Sequence, residues 1–287
     1  MSNNVRQGPA AEMPAAKGPC EPEESVMIDL RRLFGVMPLP VNADFQRLLE
    51  WRLLRGSHEF PGPDGGTCVN EAAIVVAGYP YRAVYSVRDL PASFSRPIAM
   101  LALCLNDTLG DELRQELLAP FVTRLAGSAD NPSVEIARAR LIHERVVAEI
   151  LLPALVRHGK ATLAERCRAV GTAAEWAQLI GELGAGDYGR IPRSLIAALR
   201  RAAEAAAQGF CGQLTDCVFC TFLAVRDLAA LDGSDRGTSI YRQAAKILEA
   251  ATAIGNQAET DAGMARERMN RARRSAKALR GKAFLGA

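Results

Sequence analysis

The stretch NPSVEIARARLIHERVVAEILLPALV, residues 131–156, decides the fold class of this chain. Asparagine is a preferred N-cap residue and proline is favoured at the first helical position, so Asn131-Pro132 predicts the start of a long helix. Pro153 predicts a bend near the end of this helix, because proline lacks the N–H that a helix interior needs. A periodic segment of this length is typical of an α-helix.

Similar signals recur on both sides of this stretch. The capping-box pattern from Thr172 to Glu175 predicts another helix start, and Cys68 begins a helix that Gly78 closes. An earlier helix is predicted to run through Leu53 and to end at Gly56. Three more helices are expected over 192–207, 214–231 and 238–254. The sequence thus predicts an all-α fold of about nine helices, with at most one short extended segment near 79–87.

The domain organisation follows from the Pro/Gly-rich breaks in the chain of 287 residues. Residues 1–24 are rich in proline and polar residues and are expected to be disordered. Residues 25–127 form a predicted N-terminal helical lobe with a Gly/Pro loop, and 132–260 form a predicted C-terminal helical bundle. The two lobes are either separate or parts of one domain. Residues 261–287 read as a basic tail.

The composition is typical of a soluble globular protein, for which the cytoplasm is the default compartment. Hydrophobic residues make up 49% and charged residues 23% of the chain, which matches soluble domains. The N-terminus lacks the apolar core of a secretory signal. The chain also contains no run of about 18 apolar residues, which a membrane-spanning helix would need. The seven cysteines are spaced irregularly, which disfavours a disulfide framework.

One segment, GSHEFPGPDGGTCVNEAA at residues 56–73, suggests chemistry. A helix N-terminus favours the thiolate, so Cys68 is a candidate nucleophile. His58 is its candidate base, and Glu71 or Asp107 would orient that base. This alternative predicts a cysteine-dependent enzyme for acyl transfer or thiol chemistry.

Two other interpretations of the segment remain open. His58, Cys68 and Glu71 are all permissible zinc ligands, with Asp64 as a further oxygen donor, although their spacing is not a known zinc signature. In the structural interpretation, which ranks first, Thr67 or Asp64 caps the helix and Glu71 closes a capping box. Zinc is therefore a possible cofactor that the sequence does not favour.

The segment also resembles part of a group of uncharacterised bacterial proteins. The resemblance covers about residues 56–124 and consists of Cys68-Val69-Asn70-Glu71-Ala72, Ser95-Arg96-Pro97-Ile98 and Leu105-Asn106-Asp107. Similar proteins often carry a second cysteine just before the proline, whereas this chain has Phe94-Ser95-Arg96. The resemblance implies no known activity. It implies that Cys68, Glu71, Asn106 and Asp107 belong to one local unit.

Two further clusters of potentially reactive residues give weaker signals. Cys217 and Cys220 form a C-x-x-C pattern near Cys211, and their apolar neighbours favour buried packing over a metal or redox role. His143-Glu144 lacks the second histidine of H-E-x-x-H and is predicted to lie on a solvated polar face.

Within the C-terminal tail, residues 266–282 are strongly basic and contain one acidic residue, Glu267. Such a charge block can contact an acidic protein or, without specificity, nucleic acid. Its cations are Arg266, Arg268, Arg271, Arg273, Arg274, Lys277, Arg280 and Lys282.

The leading hypothesis is accordingly a helical interaction or regulatory protein, whose partner is most readily another protein. The chain has no complete catalytic motif, so catalysis by Cys68 and a zinc site are the alternatives.

Overall fold

The computed structural model describes residues 52–58, 66–185, 191–256 and 259–285. The described residues confirm the predicted all-α class: they contain no β-strand, only an isolated parallel bridge between Leu53 and Thr67. The predicted disorder of residues 1–24 concerns residues outside these ranges. The α-helices are α1 (Val69–Val76), α2 (Arg96–Thr108), α3 (Asp111–Leu118), α4 (Val122–Leu125), α5 (Pro132–Val146), α6 (Leu152–Arg157), α7 (Ala161–Ala169), α8 (Ala173–Ala185), α9 (Arg193–Phe210), α10 (Leu214–Thr252) and α11 (Ala262–Leu285).

The helix starts follow local side-chain chemistry. The Asn131 side chain accepts a hydrogen bond from the Val134 N–H at 3.1 Å and caps α5. At the start of α8 the Thr172 hydroxyl accepts from the Glu175 N–H at 3.2 Å, and the Glu175 carboxylate accepts from the Thr172 N–H at 2.9 Å. Both starts were predicted, because a cap needs only residues close in sequence.

The predicted helix through Leu53 is wrong for the described residues 52–58, which are not helical. The Leu54 N–H donates to the Thr67 carbonyl at 2.9 Å, and the Thr67 N–H donates to the Arg52 carbonyl at 3.2 Å. These backbone groups are therefore paired with the segment that leads into α1. Such a long-range pairing overrides local helix preference.

The long helix α10 lies at the centre of the molecule and packs against α9, α5 and α2. It bends at Gly233, whose backbone has φ 80° and ψ −174°, and the bend joins the two predicted helices 214–231 and 238–254. One core of buried apolar side chains extends from Leu53 to Met269. This core crosses 127–132, so residues of both predicted lobes share it.

The junction between α5 and α6 departs from regular α-helical geometry. Between α5 and α6, residues Val147–Leu151 form a π-helical turn, in which the Leu152 N–H bonds to the Val147 carbonyl. Pro153 follows at once, and it cannot donate a backbone hydrogen bond. The bend predicted at Pro153 therefore takes the form of a π-turn.

The basic C-terminal segment is helical rather than an irregular tail. Helix α11 packs against α1 through the buried side chains of Ala265 and Met269. Arg268 Nη1 donates to the carbonyl of Val76 at 2.5 Å, at the C-terminal end of α1. None of the helices in the described ranges is long and apolar enough to span a bilayer.

Candidate functional site

Cys68 is the N-cap residue of α1, and its side chain is fully buried. Its Sγ accepts a hydrogen bond from the Glu71 N–H at 3.4 Å, while its own N–H donates to Glu71 Oε2 at 2.9 Å. The capping box expected from Glu71 is therefore present, with Cys68 in place of Thr67 as the cap.

Glu71 is a fully buried carboxylate that collects the surrounding donors. Its two oxygens accept from three segments of the chain, so this one side chain joins them at the start of α1. A carboxylate has about four lone-pair sites, so Glu71 is saturated by the protein itself. The donors are Ser57 Oγ (2.8 Å), His58 N (3.0 Å) and Val84 N (3.1 Å) to Oε1, and Thr67 Oγ1 (3.1 Å), Cys68 N (2.9 Å) and Tyr81 OH (3.0 Å) to Oε2.

The environment of the Cys68 thiol favours the protonated form. Burial raises the pKa of Cys68 well above its usual value, and the negative charge of Glu71 raises this pKa further. The N–H groups at the start of α1 act in the opposite direction and are outweighed. The described thiol is thus neutral at physiological pH, which is the reverse of what a nucleophile needs.

His58 contributes its backbone to this unit. Its N–H donates to Glu71, and its carbonyl lies 2.7 Å from the Tyr81 hydroxyl, whose single proton is shared between this carbonyl and Glu71 Oε2. Its ring Nε2 is buried without a hydrogen-bond partner. The ring therefore forms no hydrogen bond through Nε2 to Cys68, and the expected base and nucleophile are not coupled in the described geometry.

Asn106 and Asp107, at the end of α2, lie against the same unit. Asn106 Oδ1 accepts from the Val69 N–H at 3.2 Å, and its Nδ2 donates to the Leu54 carbonyl at 2.9 Å. Asp107 Oδ1 accepts from the Gly56 N–H at 3.0 Å. Asp107 therefore holds the backbone of residues 52–58 and makes no hydrogen bond to the His58 ring.

Arg114 completes this packing and was not singled out by the sequence. Its guanidinium is buried and donates to the carbonyl of Asn106 at 2.6 Å and to that of Leu53 at 3.3 Å. It also pairs with Asp111 at 2.8 Å. Cys68, Glu71, Asn106 and Asp107 thus lie together at one end of α1 and α2, where they hold backbone segments in place.

The zinc alternative concerns His58, Cys68 and Glu71. Within the parts of the chain that the structure describes, no group of three or more histidine, cysteine, aspartate or glutamate side chains could hold a metal ion. Asp64 and most of the Gly/Pro loop lie outside those parts.

A pocket of about 340 Å³ lies among helices α5 to α10. Its wall is mainly apolar and includes Trp176, Leu152 and Val147, the last of which begins the π-turn. Apolar pockets with a few convergent polar groups are where small ligands usually bind, and π-turns are frequent at functional sites. Sequence reasoning missed this pocket, because six separate helices form it.

His143 is partly buried and lines the apolar pocket, whereas its neighbour Glu144 is exposed, so the solvated polar face predicted for His143-Glu144 holds for Glu144 and not for His143. Its ring is edge-on to Trp176, with the centroids 6.5 Å apart. Burial lowers the pKa of His143 to about 4, so the imidazole is neutral at physiological pH. The sequence signal was the spacing of Ala139, His143 and Val147, which places the histidine on an apolar helical stripe.

The hydrogen bonds around His143 determine its tautomer. Its Nδ1 lies 3.3 Å from the Thr221 hydroxyl, and that hydroxyl donates to the Cys217 carbonyl at 2.8 Å. We assign the single hydroxyl proton to the shorter contact, with the Cys217 carbonyl, so that Thr221 Oγ1 accepts from Nδ1–H. The neutral ring therefore leaves Nε2 unprotonated, as a hydrogen-bond acceptor.

Burial favours the protonated thiol at the two cysteines that line the pocket, Cys167 and Cys217. Burial raises the pKa of Cys167 to about 12 and that of Cys217 to about 11. Cys220 is also buried, whereas Cys211 is exposed, and the cysteines in the described ranges are not in disulfides. No metal cluster forms there among the described side chains.

The expected acidic-partner residues all belong to α11. Arg268 is partly buried against α1, while Arg266, Arg271 and Arg274 are exposed. Arg271 pairs with Glu267 at 2.6 Å. The structure describes only the backbone at four further positions of the helix, Arg273, Lys277, Arg280 and Lys282.

Comparisons with protein families, with curated proteins and with solved structures found no match for this chain.

Proposed function

We propose that this protein is an interaction protein that binds an acidic partner protein through the outward face of α11. The observation that carries the proposal is the two-sided arrangement of this helix. Ala265 and Met269 are buried against α1, whereas Arg266 and Arg274 are exposed. The docked face fixes the helix, so the cations on the other face have a defined position.

The charge of this face supports electrostatic recognition. Arg266 and Arg274 form no ion pair with the described residues, so neither loses a protein partner on binding. Exposed arginines carry a permanent charge and present planar donors that match carboxylates and phosphates. The same face would also attract nucleic acid without sequence specificity.

Cysteine chemistry at Cys68 is the weaker proposal. A nucleophilic thiol needs a lowered pKa or an adjacent base, and burial beside Glu71 raises the pKa of Cys68 instead. Glu71 has no spare lone pair for a substrate, because six donors surround it.

The test compares two double variants with the same loss of charge. Arg266→Gln with Arg274→Gln removes cations from α11, and Arg193→Gln with Arg200→Gln removes exposed cations from α9. Fluorescence anisotropy measures the binding of the full chain to a labelled polyglutamate peptide and to a labelled DNA duplex at about 50 mM and about 300 mM NaCl.

We expect low-salt binding of polyglutamate that the α11 variant weakens about fivefold or more and that the α9 variant leaves nearly unchanged. Tighter binding of the duplex than of polyglutamate would replace the acidic protein by nucleic acid as the partner. Absence of binding to both probes at low salt, or an equal effect of both variants, would refute the role of α11.

A further inference from the structure

We propose that the pocket among helices α5 to α10 binds a small ring-containing carboxylic acid that carries a hydroxyl group. This inference is independent of the role of α11, since no α11 residue lines the pocket among those the structure describes. Each part of the ligand corresponds to one feature of the pocket: the apolar body to its wall, the hydroxyl to His143 and the carboxylate to Arg140.

The size and lining of the pocket set the body of the ligand. A volume of about 340 Å³ is at the small end of the range of ligand pockets, which favours one or two fused rings. The wall includes Ile136, Val147, Leu152 and Trp176. An aromatic body can pack on the Trp176 indole, so a flat ring suits this wall better than a flexible chain.

The ring of His143 is the reason to expect a hydroxyl group on the ligand. Its Nδ1–H is used by Thr221, which leaves Nε2 as an acceptor. Nε2 makes no hydrogen bond to the described protein, and it is not fully enclosed by other atoms. A ligand O–H in the pocket can therefore reach it and donate to it. A ligand that lacks a donor would leave this acceptor unpaired on burial.

The guanidinium of Arg140 is the reason to expect a carboxylate on the ligand. Arg140 lines the pocket one helical turn before Glu144, whose charge it attracts, and among the described residues it has no salt-bridge or hydrogen-bond contact. Arginine binds carboxylates with two parallel hydrogen bonds, which fix the orientation of the ligand.

The other charges at the pocket single out Arg140 as the group for such an anion. Arg168 also lines the pocket, but it pairs with Glu165 at 2.5 Å, outside the lining. Glu144 is the carboxylate nearest to Arg140 along α5; burial raises its pKa and the charge of Arg140 lowers it. Arg140 attracts Glu144 without a hydrogen bond to it, so the N–H groups of its guanidinium are left for a ligand carboxylate.

The π-turn shapes the same wall. Val147 and Ala148 belong to the turn Val147–Leu151, and both line the pocket. A π-turn inserts one extra residue relative to regular α-helix, which offsets the side chains that follow it. The wall is therefore formed by the irregular part of the α5–α6 helix, where a regular helix would present different side chains.

The experiment uses the full chain and 6-hydroxy-2-naphthoic acid as the probe. Two analogues each lack one group: 2-naphthoic acid has no hydroxyl, and 2-naphthol has no carboxylate. Isothermal titration calorimetry measures the affinities of wild type, Arg140→Gln and His143→Phe. Arg200→Gln is the matched control, because Arg200 is exposed on α9 and does not line the pocket.

We expect 6-hydroxy-2-naphthoic acid to bind one-to-one, and each analogue to bind about fivefold more weakly or worse, as loss of one hydrogen bond predicts. Arg140→Gln should weaken the two carboxylates and spare 2-naphthol. His143→Phe should weaken the two hydroxylated probes and spare 2-naphthoic acid. Arg200→Gln should bind like wild type.

The location of binding is read from the indole N–H signal of Trp176 in an NMR spectrum, assigned through a Trp51→Phe variant. A shift of this signal on titration places the probe in the pocket. The proposal is overturned if no probe binds at about 1 mM, if the Trp176 signal stays unchanged, or if Arg140→Gln binds all three probes like wild type. This last comparison holds even where His143→Phe fails to fold.

Discussion

Replacing Glu71 by glutamine tests whether the unit at the start of α1 holds the fold together. The substitution keeps the shape of the side chain, but it removes the charge and turns one acceptor oxygen into an N–H₂ donor. If the amide nitrogen took the place of Oε1, it would face the backbone N–H groups of His58 and Val84. Neither backbone donor can reverse its role, so this orientation would leave two donors unpaired.

The other orientation costs less. At the place of Oε2 the amide nitrogen would face the hydroxyls of Thr67 and Tyr81, which can rotate to accept, since carbonyls of Cys68 and His58 lie within reach of their protons. Only the Cys68 N–H would then be unpaired. One buried unpaired donor costs about 1–3 kcal/mol. The remaining bonds lose their charge assistance, which relief of the buried charge partly offsets.

We therefore expect Glu71→Gln to lower the free energy of unfolding by about 2–4 kcal/mol, a large part of the usual stability of a domain. Urea unfolding followed by circular dichroism measures this change. The control is Glu112→Gln, an exposed residue in the first turn of α3. Amide hydrogen exchange at Cys68 should also accelerate in Glu71→Gln. A stability within about 0.5 kcal/mol of the control variant would refute the argument.

Three other predictions follow from single residues. Burial lowers the pKa of His143 to about 4. Between about pH 4 and pH 6.5 the unfolded chain therefore binds more protons than the folded chain. As the pH falls through this window, the free energy of unfolding should fall by up to about 3 kcal/mol. Urea unfolding of His143→Gln at several pH values should lack this part of the loss, and an unchanged pH dependence would contradict the burial of the ring. Native protein treated with iodoacetamide near neutral pH should be labelled at exposed Cys211 and protected at buried Cys68, as peptide mass spectrometry will show; faster labelling of Cys68 would revive the enzyme hypothesis. Gly233→Ala should destabilise the protein by about 1–3 kcal/mol because φ 80° and ψ −174° suit only glycine, whereas Gly181→Ala, in an open position within α8, should stabilise it by about 0.5–1 kcal/mol. Equal effects of the two alanines in thermal unfolding would show that the bend at Gly233 is not required.

The helices were predictable where their signals are local. Asn131-Pro132 and the Thr172–Glu175 pair each place a cap and its partner within four residues, and the structure contains both. Leu53 shows the limit of this approach. Its neighbours bond to Thr67, fourteen residues away, and no local pattern in the sequence encodes that pairing.

The sequence leaves the environment of Cys68 open between packing and chemistry for a physical reason. The sequence shows that Cys68 precedes a helix, and a helix N-terminus lowers a thiol pKa. It does not show the depth of burial or the number of donors that hold Glu71 beside the sulfur. Both effects raise the pKa of the thiol, and they depend on segments as distant as Val84 and Asp107.

The start of α1 and the pocket around His143 differ in whether their polar atoms already have hydrogen-bond partners. Three donors of the protein lie within hydrogen-bond distance of each oxygen of Glu71, so a substrate would have to break bonds that hold α1 in place. At the pocket the opposite holds, because His143 Nε2 and the Arg140 guanidinium have no hydrogen-bond partners among the described residues, beside an apolar wall. Unpaired polar groups in a largely apolar site cost stability that a bound ligand can restore. We therefore infer that the start of α1 serves folding, and that ligand chemistry belongs to the pocket around His143.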